Sequence, residues 1–410
     1  MTVRTRTLKG AVLAGALLAV GPTAAVAGVP GAAPRPHTAG HSRYSAASLR
    51  RDVARVRLAG GGDVGVVARV DTPDGPIQAR AGTAGAGSAA PVPWGAEFRI
   101  ASTTKTFVAV VVLQLAAEKR LSLDDTVEHW LPGVVAGHGN DGRRITVRDL
   151  LRQTSGLYNY TDDPSVQGLL RDPDANRYND TPPADLVAIA MRHPPLFTPI
   201  PGGGPRWAYS NTNYLLAAMV AEKAGGTTWR ELVEHRVIAP LGLRHTSIPG
   251  ANPFLPEPHA RVTLTTADGS RLDLTDNSFQ HTADSGVVST TADLDTFFRA
   301  LAEGRLLPAA QWNEMRRTVR RTDDPEDVRE QPLGDYGLGL RAIPLSCGGS
   351  YYAHEGDGVG VYTRPAVTAD GRRAVTVSIT TTSAPADLPT LNRATNALID
   401  HALCAGRPRR

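Results

Sequence analysis

The sequence predicts an α/β fold of the α+β type, in which one antiparallel sheet is built from both ends of the chain and is flanked by helices. Two observations lead to this prediction. Strand-like segments occur near the N-terminus and again in the last quarter of the 410 residues. Between them, at about residues 120–330, the patterns are helical and are interrupted by proline- and glycine-rich loops. Strands at both ends of a helical stretch predict one sheet with an all-helical region inserted into it.

The N-terminal elements follow from spacing and turn signals. Apolar residues at helical spacing predict a helix from Ala46 to Leu58. Residues 63–81 predict a hairpin, because a valine-rich strand meets a turn at Asp74-Gly75-Pro76 and then a return strand. The run from Thr103 to Lys119 is rich in β-branched residues, but its uninterrupted length predicts a helix that is buried on all sides.

The remaining elements are predicted from the same signals. Within the inserted region, helical patterns cover residues 147–152, 184–192, 214–223, 229–235 and 293–303. The last quarter predicts strands at residues 337–343, 350–355, 359–367 and 374–381, and then a helix over residues 388–404.

The N-terminus has the pattern of a secretory signal. A charged region, an apolar stretch and a small-x-small site at Ala25-Val26-Ala27 predict a signal peptide over residues 1–27, cleavage after Ala27 and a secreted protein. A membrane anchor is the alternative, but the apolar stretch is too short to span a bilayer and no cysteine follows the site to carry a lipid. We expect three further segments, namely a disordered leader at 28–42, one folded domain at 43–404 and a basic tail at 405–410.

The composition excludes several functional classes. The net charge is only +4 and no basic stripe alternates with aromatic residues, so we expect no nucleic-acid partner. The chain has no Gly-x-Ser-x-Gly elbow, no His-Glu-x-x-His motif and no phosphate-binding loop. We therefore expect neither a metal ion nor another cofactor. The two cysteines, Cys347 and Cys404, favour one disulfide over two free thiols, because the chain is predicted to be exported.

Ser102 and Lys105 form the first candidate catalytic pair. The chain has four lysines against forty arginines, and Ser102 to Lys105 is its one Ser-x-x-Lys motif. Lysine can lose its proton in a desolvated site and act as a base, whereas arginine cannot. Residues three apart share one face of a helix, so the amine can activate the hydroxyl as a nucleophile. The alternative is an ordinary solvated helix face.

Two further motifs are weak when each is taken alone. In Tyr209-Ser210-Asn211 a phenol near a lysine can shuttle protons as a general base, and the asparagine amide can bind a substrate peptide group. The alternative is a core tyrosine followed by a helix cap. His354-Glu355-Gly356 lies on a predicted strand, where a glycine lets a substrate backbone approach closely. The alternative for His354 is a structural histidine.

Taken together and in this order, the three motifs resemble those of the serine β-lactamase and penicillin-recognising peptidase superfamily. Tyr-x-Asn and His-x-Gly in the second and third places are similar to the branch that holds class C-like β-lactamases and the secreted D-alanyl-D-alanine carboxypeptidase/transpeptidase of streptomycetes. The resemblance runs from about Ser45 to Cys404 and extends to the cysteine positions. It implies the β-lactamase/transpeptidase-like fold.

The resemblance also implies a role for each motif residue. Ser102 would be the acylated nucleophile, Lys105 its proton acceptor, and Tyr209 a base in acylation and an acid toward the leaving amine. Asn211 would hold the substrate peptide group, and His354 would keep a proton donor near Tyr209.

On the substrate-binding side, the resemblance implies an oxyanion hole formed by the backbone N–H groups of Ser102 and Asp357, beside Gly356. Arg341 would bind a terminal carboxylate of the substrate. The chain departs from the family pattern with two acids, Glu355 and Asp357, where relatives place small neutral residues. Acids in the pocket would repel a carboxylate and partly neutralise Arg341, which would favour amide, ester or amine-bearing substrates. Alternatively, both side chains point away from the pocket.

The function that this resemblance implies is a secreted serine D-alanyl-D-alanine carboxypeptidase. It would act through an acyl-enzyme on peptidoglycan stem peptides or small acyl substrates and react with β-lactams. The alternatives are an esterase, D-amidase or β-lactamase on the same scaffold, or a non-catalytic penicillin-binding module.

Overall fold

The computed structural model describes residues 43–61, 64–85, 88–199, 206–265, 269–321, 334–381 and 387–406. The predicted signal peptide and leader lie outside these residues, as do residues 407–410 of the predicted basic tail. Among the described helices, none combines the length and the apolar character needed to cross a bilayer.

The described part of the chain alternates between helices and short or medium strands. The helices are α1 (Ala46–Ala59), α2 (Thr104–Ala117), α3 (Val127–Trp130), α4 (Val147–Arg152), α5 (Pro164–Arg171), α6 (Pro183–Met191), α7 (Thr212–Gly225), α8 (Trp229–Val233), α9 (Ala239–Leu241), α10 (Thr291–Ala302), α11 (Ala309–Met315) and α12 (Leu388–Cys404). The strands are β1 (Val64–Thr72), β2 (Gly75–Ala81), β3 (Phe98–Arg99), β4 (Ala136–Gly137), β5 (Asn140–Asp141), β6 (Thr263–Thr265), β7 (Arg271–Asp273), β8 (Val288–Ser289), β9 (Asp335–Tyr336), β10 (Arg341–Pro344), β11 (Ser350–Ala353), β12 (Gly356–Gly358), β13 (Val361–Thr368) and β14 (Ala374–Thr381).

The main sheet joins the two ends of the chain, as predicted. Its order is β2-β1-β14-β13-β11-β10-β9, and β12 pairs with β13 beside this path. All pairs are antiparallel, and β1 lies against β14 with Val64 opposite Thr381. Every residue of β13 and β14 is buried, because α10 covers one face of the sheet while α1 and α12 cover the other. The predicted fold class is therefore confirmed.

Helix α2 is the centre of the larger core. Its residues from Thr104 to Leu113 are all buried, which confirms a helix surrounded on all sides. The β-branched run forms a helix here because it packs on all sides against apolar helices and loops, and such packing outweighs local strand propensity. A 3₁₀ turn, Ala101–Thr103, leads directly into this helix.

Three predicted details are wrong. The inserted region is not all-helical, because β4 to β8 lie within it. The strand predicted from residue 337 begins only at Arg341, since Gly339 adopts a φ of 70° and packs tightly against α2. The strand predicted to carry His354 is interrupted, and His354 and Glu355 lie between β11 and β12.

The predicted disulfide is present and joins Cys347 to Cys404. Cys347 lies in the turn between β10 and β11, and Cys404 ends α12. The bond therefore links the closing helix to the turn between β10 and β11.

Candidate active site

The turn that carries Ser102 is strained. Ser102 lies in the 3₁₀ turn before α2 rather than in the α-helix itself, and its neighbour Ala101 has a φ of 45°. A non-glycine residue in this left-handed region costs about 1–3 kcal/mol and persists where the surroundings enforce it. Ser102 is partly exposed in this turn. Lys105, which follows in the first turn of α2, is buried.

Ser102, Lys105 and Tyr209 meet at one point. Lys105 Nζ donates a hydrogen bond to Ser102 Oγ at 3.0 Å, and the Tyr209 hydroxyl donates to the same oxygen at 2.9 Å. The structure thus brings two motifs that are 107 residues apart onto one nucleophile. Both contacts are within the range required for proton transfer.

Lys105 is held by neutral acceptors. Its Nζ also donates to Asn211 Oδ1 at 2.7 Å and to the backbone carbonyl of Asp284 at 2.9 Å. Burial lowers the pKa of Lys105 to about 8, the carboxylate of Asp284 opposes this shift, and the cation of Arg341 adds to it. A lysine with this pKa is about a tenth neutral at pH 7, so it can accept a proton.

Tyr209 differs from the expectation of an easily ionised phenol. Burial raises its pKa above the ordinary value, although the hydrogen bond with Ser102 opposes the shift. Tyr209 is therefore protonated at rest and donates to Ser102. Lys105 is therefore the candidate base, and Tyr209 is a candidate acid.

Gln153 fixes the loop that carries Tyr209, and no sequence motif points to this residue. Its side-chain oxygen accepts hydrogen bonds from the backbone N–H of Ser210 and from Asn213 Nδ2. The residue is fully buried and has a φ of 65° at the end of α4. A buried polar group with fixed partners specifies one position of the loop.

The oxygen and the nitrogen of the Asn211 side-chain amide have different partners. Its oxygen accepts from Lys105, while its Nδ2 lies 3.5 Å from Thr161 Oγ1. Asn159 accepts from its backbone N–H. The side chain is thus oriented so that the NH₂ group, rather than the oxygen, is directed toward Thr161, which lines the same cavity as Asn211.

His354 does not take the predicted role beside Tyr209. Its Nδ1 lies 2.8 Å from the carbonyl of Glu355, so this nitrogen carries the proton, and its Nε2 accepts from the Tyr336 hydroxyl at 2.8 Å. The ring centroids of His354 and Tyr209 are 6.4 Å apart. Burial, together with the nearby Arg341, lowers the pKa of His354 well below its ordinary value. The ring is therefore a neutral, structural group.

Strand β12 lies close to the 3₁₀ turn Ala101–Thr103 that carries Ser102, which we call the nucleophile turn. A Cβ on Gly356 would lie 2.0 Å from the carbonyl oxygen of Ile100, and one on Gly358 would lie 3.4 Å from the Cβ of Ala101. Gly356 thus allows the turn that carries Ser102 to approach β12 closely, whereas we expected it to make room for a substrate backbone. This contact sets the backbone of Asp357 alongside the turn of Ser102.

Glu355 of the third motif and Asp357, which follows it, have different partners. Glu355 forms an ion pair with Arg341, whose Nη1 lies 2.8 Å from Glu355 Oε2. Asp357 pairs instead with Arg364, a buried residue of β13. Of the two acids, Glu355 is therefore the one that pairs with Arg341.

A cavity of about 360 Å³ opens between Asn211 and β12. Much of its wall is apolar, and Asp284 and Asp357 are the acids that line it. No lysine or arginine is among its lining residues in the described chain. Its apolar lining residues are Val166, Leu169, Pro173, Leu186, Phe279 and Val359.

Four functional positions were missed from the sequence, namely Gln153, Asp284, Tyr336 and Arg364. Tyr336 had a usable signal, because it begins a Tyr-Gly-Leu-Gly-Leu-Arg segment that ends at Arg341, to which the resemblance gives a role. The other three lie outside any motif, and only the tertiary structure brings them to the site.

A lysine-activated serine with a tyrosine proton donor, placed between a central helix and an antiparallel sheet, defines a serine hydrolase of the β-lactamase fold. The sequence matches the Beta-lactamase family over residues 50–400, and the chain belongs to that family. The superfamily inferred from the motifs is therefore confirmed.

Known structures agree with this assignment. A D-stereospecific amidohydrolase from Streptomyces sp. is 38% identical, with a TM-score of 0.75, and the match covers 88% of this chain and 99% of that one. A D-amino acid amidase from Ochrobactrum anthropi SV3 is 24% identical, with a TM-score of 0.71 over 87% of this chain and 97% of that one, which shows the shared fold.

Matches among known sequences are shorter. Protein flp of Staphylococcus aureus is 30% identical over 157 residues, which is 38% of this chain and 29% of that protein. The chain thus spans less than a third of the length of this relative.

Proposed function

We propose that the protein hydrolyses amides and esters of D-amino acids through an acyl-enzyme on Ser102. The observation that carries the proposal is the contact of Ser102 Oγ with both Lys105 and Tyr209, at 3.0 and 2.9 Å. The preference for the D configuration is supported by the likeness to the Streptomyces amidohydrolase over nearly all of that enzyme's length.

Acylation follows from the protonation states of the three groups. Neutral Lys105 takes the proton of Ser102 as Oγ attacks the substrate carbonyl carbon. The backbone N–H groups of Ser102 and Asp357 would stabilise the oxyanion. Tyr209 then gives its proton to the leaving amine or alcohol, and Lys105 returns a proton to Tyr209. Water cleaves the resulting ester, which releases the D-amino acid and restores Ser102.

The cavity supports an apolar acyl group. It lies next to Asn211, whose amide would hold the substrate, and its volume of about 360 Å³ accommodates one large side chain. Because two acids and no lysine or arginine are among its lining residues in the described chain, a neutral or cationic acyl group fits better than an anionic one.

A D-alanyl-D-alanine carboxypeptidase acting on peptidoglycan is the second candidate. The presence of Arg341 beside the site favours it, because the resemblance gives this residue the role of a carboxylate receptor. Family membership likewise supports a reaction with β-lactams. The contact between Arg341 and Glu355 weighs against this candidate.

The test compares the two enantiomers of phenylalanine amide with a diacyl tripeptide that ends in D-Ala-D-Ala. We expect the D-amide to be hydrolysed at least about 100-fold faster than the L-amide, and slow release of D-alanine. The Ser102→Ala variant is the matched control and should be inactive on all three. Equal rates for both enantiomers, or release of D-alanine with no amide turnover, would reject the proposal.

We further propose that the protein is exported, which the charged, apolar and small-x-small pattern of residues 1–27 supports. Expression of the full chain in a Gram-positive host should give a protein in the medium that begins at Gly28. Retention in the cells with an intact N-terminus would contradict export.

A further inference from the structure

Arg341 lies close enough to Lys105 for its positive charge to affect the pKa of that residue. It begins β10, its guanidinium lies 5.9 Å from the centre of the Tyr336 ring, and its cation contributes to the lowered pKa of both Lys105 and His354. In the role that the resemblance gives Arg341, a carboxylate on the leaving group would pair with this cation, because contacts with carboxylates are among the strong charge-assisted interactions of arginine.

The chain supplies that carboxylate itself. Glu355 lies 2.8 Å from Arg341, and the two side chains are only 17% and 11% exposed. A pair so shielded from water is far less screened than a surface ion pair, so an incoming carboxylate must compete with a partner already in place. The position of Glu355 in the break between β11 and β12 lets its side chain reach Arg341 while Gly356 stays against the nucleophile turn.

Asp357 does not share this role. Its carboxylate is held by Arg364, which also donates hydrogen bonds to the carbonyl of Gly356 and to Asn392. Arg364 is 5% exposed and Asp357 is 50% exposed. Each acid thus has its own arginine. These four residues together carry no excess positive charge that could attract a substrate carboxylate.

We propose that Glu355 is an internal substitute for a substrate carboxylate and that it restricts the enzyme to substrates whose leaving group carries no carboxylate. This inference rests on the proposed function and adds the chemical class of the leaving group, which is a neutral amine, ammonia or alcohol. It also identifies Glu355 as a specificity residue that acts through Arg341.

The experiment uses two peptides that differ only at the C-terminus, a diacyl tripeptide ending in D-Ala-D-Ala and the same peptide with a C-terminal amide. The wild type should have a kcat/KM for the amide at least about tenfold above that for the free acid. In Glu355→Gln the ratio should fall by about tenfold or more, through a gain on the free acid. Acylation by penicillin, which bears a carboxylate, should accelerate in parallel.

Two control variants separate the mechanism from a general effect of charge. Asp335→Asn removes an exposed acid from β9, the strand that pairs with β10, and should leave the ratio unchanged. Glu355→Gln combined with Arg341→Gln should lose the gain on the free acid, because the receptor is then absent. Turnover of a neutral aryl ester shows that each variant is folded and active.

The outcomes are distinguishable from those that test the proposed function. If the wild type cleaves D-phenylalanine amide but cleaves the acid and amide peptides equally, the role of Glu355 is wrong and the amidase function stands. An unchanged ratio in Glu355→Gln also overturns the inference. If no D-amide is cleaved by the wild type, the proposed function itself fails.

Discussion

At the scale of single residues, the division of labour between Lys105 and Tyr209 follows from burial. The same desolvation disfavours the charged form of each group, so it increases the neutral fraction of the amine near pH 7 and suppresses ionisation of the phenol. Asp284 moderates the effect, because its carboxylate favours the lysine cation. Tyr160 and Thr282 both donate hydrogen bonds to this carboxylate and keep it in place.

This division predicts the pH dependence of activity. Because Lys105 must be neutral to accept the proton and its pKa is lowered to about 8, kcat/KM for a neutral D-amide should rise with pH through a midpoint near 8. Activity should be lost as the pH falls below this midpoint. Because the pKa of Tyr209 is raised, no loss from its ionisation is expected below pH 10. Initial rates between pH 5 and 10 provide the measurement.

Asp284→Asn offers a matched variant for this profile. It removes the charge that favours protonated Lys105 and keeps the backbone carbonyl that binds Nζ, so the midpoint should move to lower pH. Thr282→Val removes one hydrogen bond to Asp284 without removing the charge and should shift the midpoint less. A midpoint that stays in place in Asp284→Asn would contradict the electrostatic role of this carboxylate.

At the scale of elements, the site depends on how closely β12 passes the turn between β3 and α2. Thr103 Oγ1 donates to the carbonyl of His354 at 2.9 Å and fastens the start of this segment. Gly356 then passes the carbonyl of Ile100 with no room for a side chain. The distance between these two elements sets the width of the site in which the oxyanion would form.

Gly356→Ala tests this close approach. The added methyl group would lie 2.0 Å from the Ile100 oxygen, so β12 must move away and kcat/KM should fall by about 100-fold. Gly168→Ala is the control, because this exposed glycine of α5 has no heavy atom within 4 Å of the added position. It should retain activity within about twofold and be slightly more stable. Full activity in Gly356→Ala would show that the contact does not matter.

The sequence was informative where a pattern is local. Helices α1, α2 and α12 and the strands β1, β2 and β14 were predicted within a few residues, because each has a regular apolar pattern bounded by turn residues. The short strands of the inserted region were not, since two- and three-residue strands have no periodicity. Ser102, Lys105 and Tyr209 were found through motifs, whereas the partner of Glu355 required the register that places Arg341 opposite Ala353.

At the scale of the whole molecule, the sheet separates two apolar cores. The larger one surrounds α2 and contains the nucleophile turn, while the smaller one lies between the sheet and the helices α1 and α12. The disulfide belongs to the smaller core, on the side of the sheet away from Ser102. The disulfide and Ser102 thus lie in different parts of the fold.

Replacing Cys347 and Cys404 together by serine should show this separation. The bond closes a loop with a sequence separation of 57, and its removal should lower the free energy of unfolding by about 2–4 kcal/mol. The value of kcat for a D-amide should not change. Urea denaturation of the variant, and of the wild type with and without reductant, measures the effect. Equal stability of all three samples would contradict the role of the bond.

The proposed function requires that Ser102 becomes acylated by a D-aminoacyl group. The direct measurement is intact-protein and peptide mass spectrometry after acid quench of a reaction with the p-nitrophenyl ester of D-phenylalanine. We expect a mass increase of one phenylalanyl group on the peptide that contains Ser102, and neither adduct nor turnover in Ser102→Ala. Turnover of the ester with the acyl group on another residue, or undiminished turnover in Ser102→Ala, would contradict it.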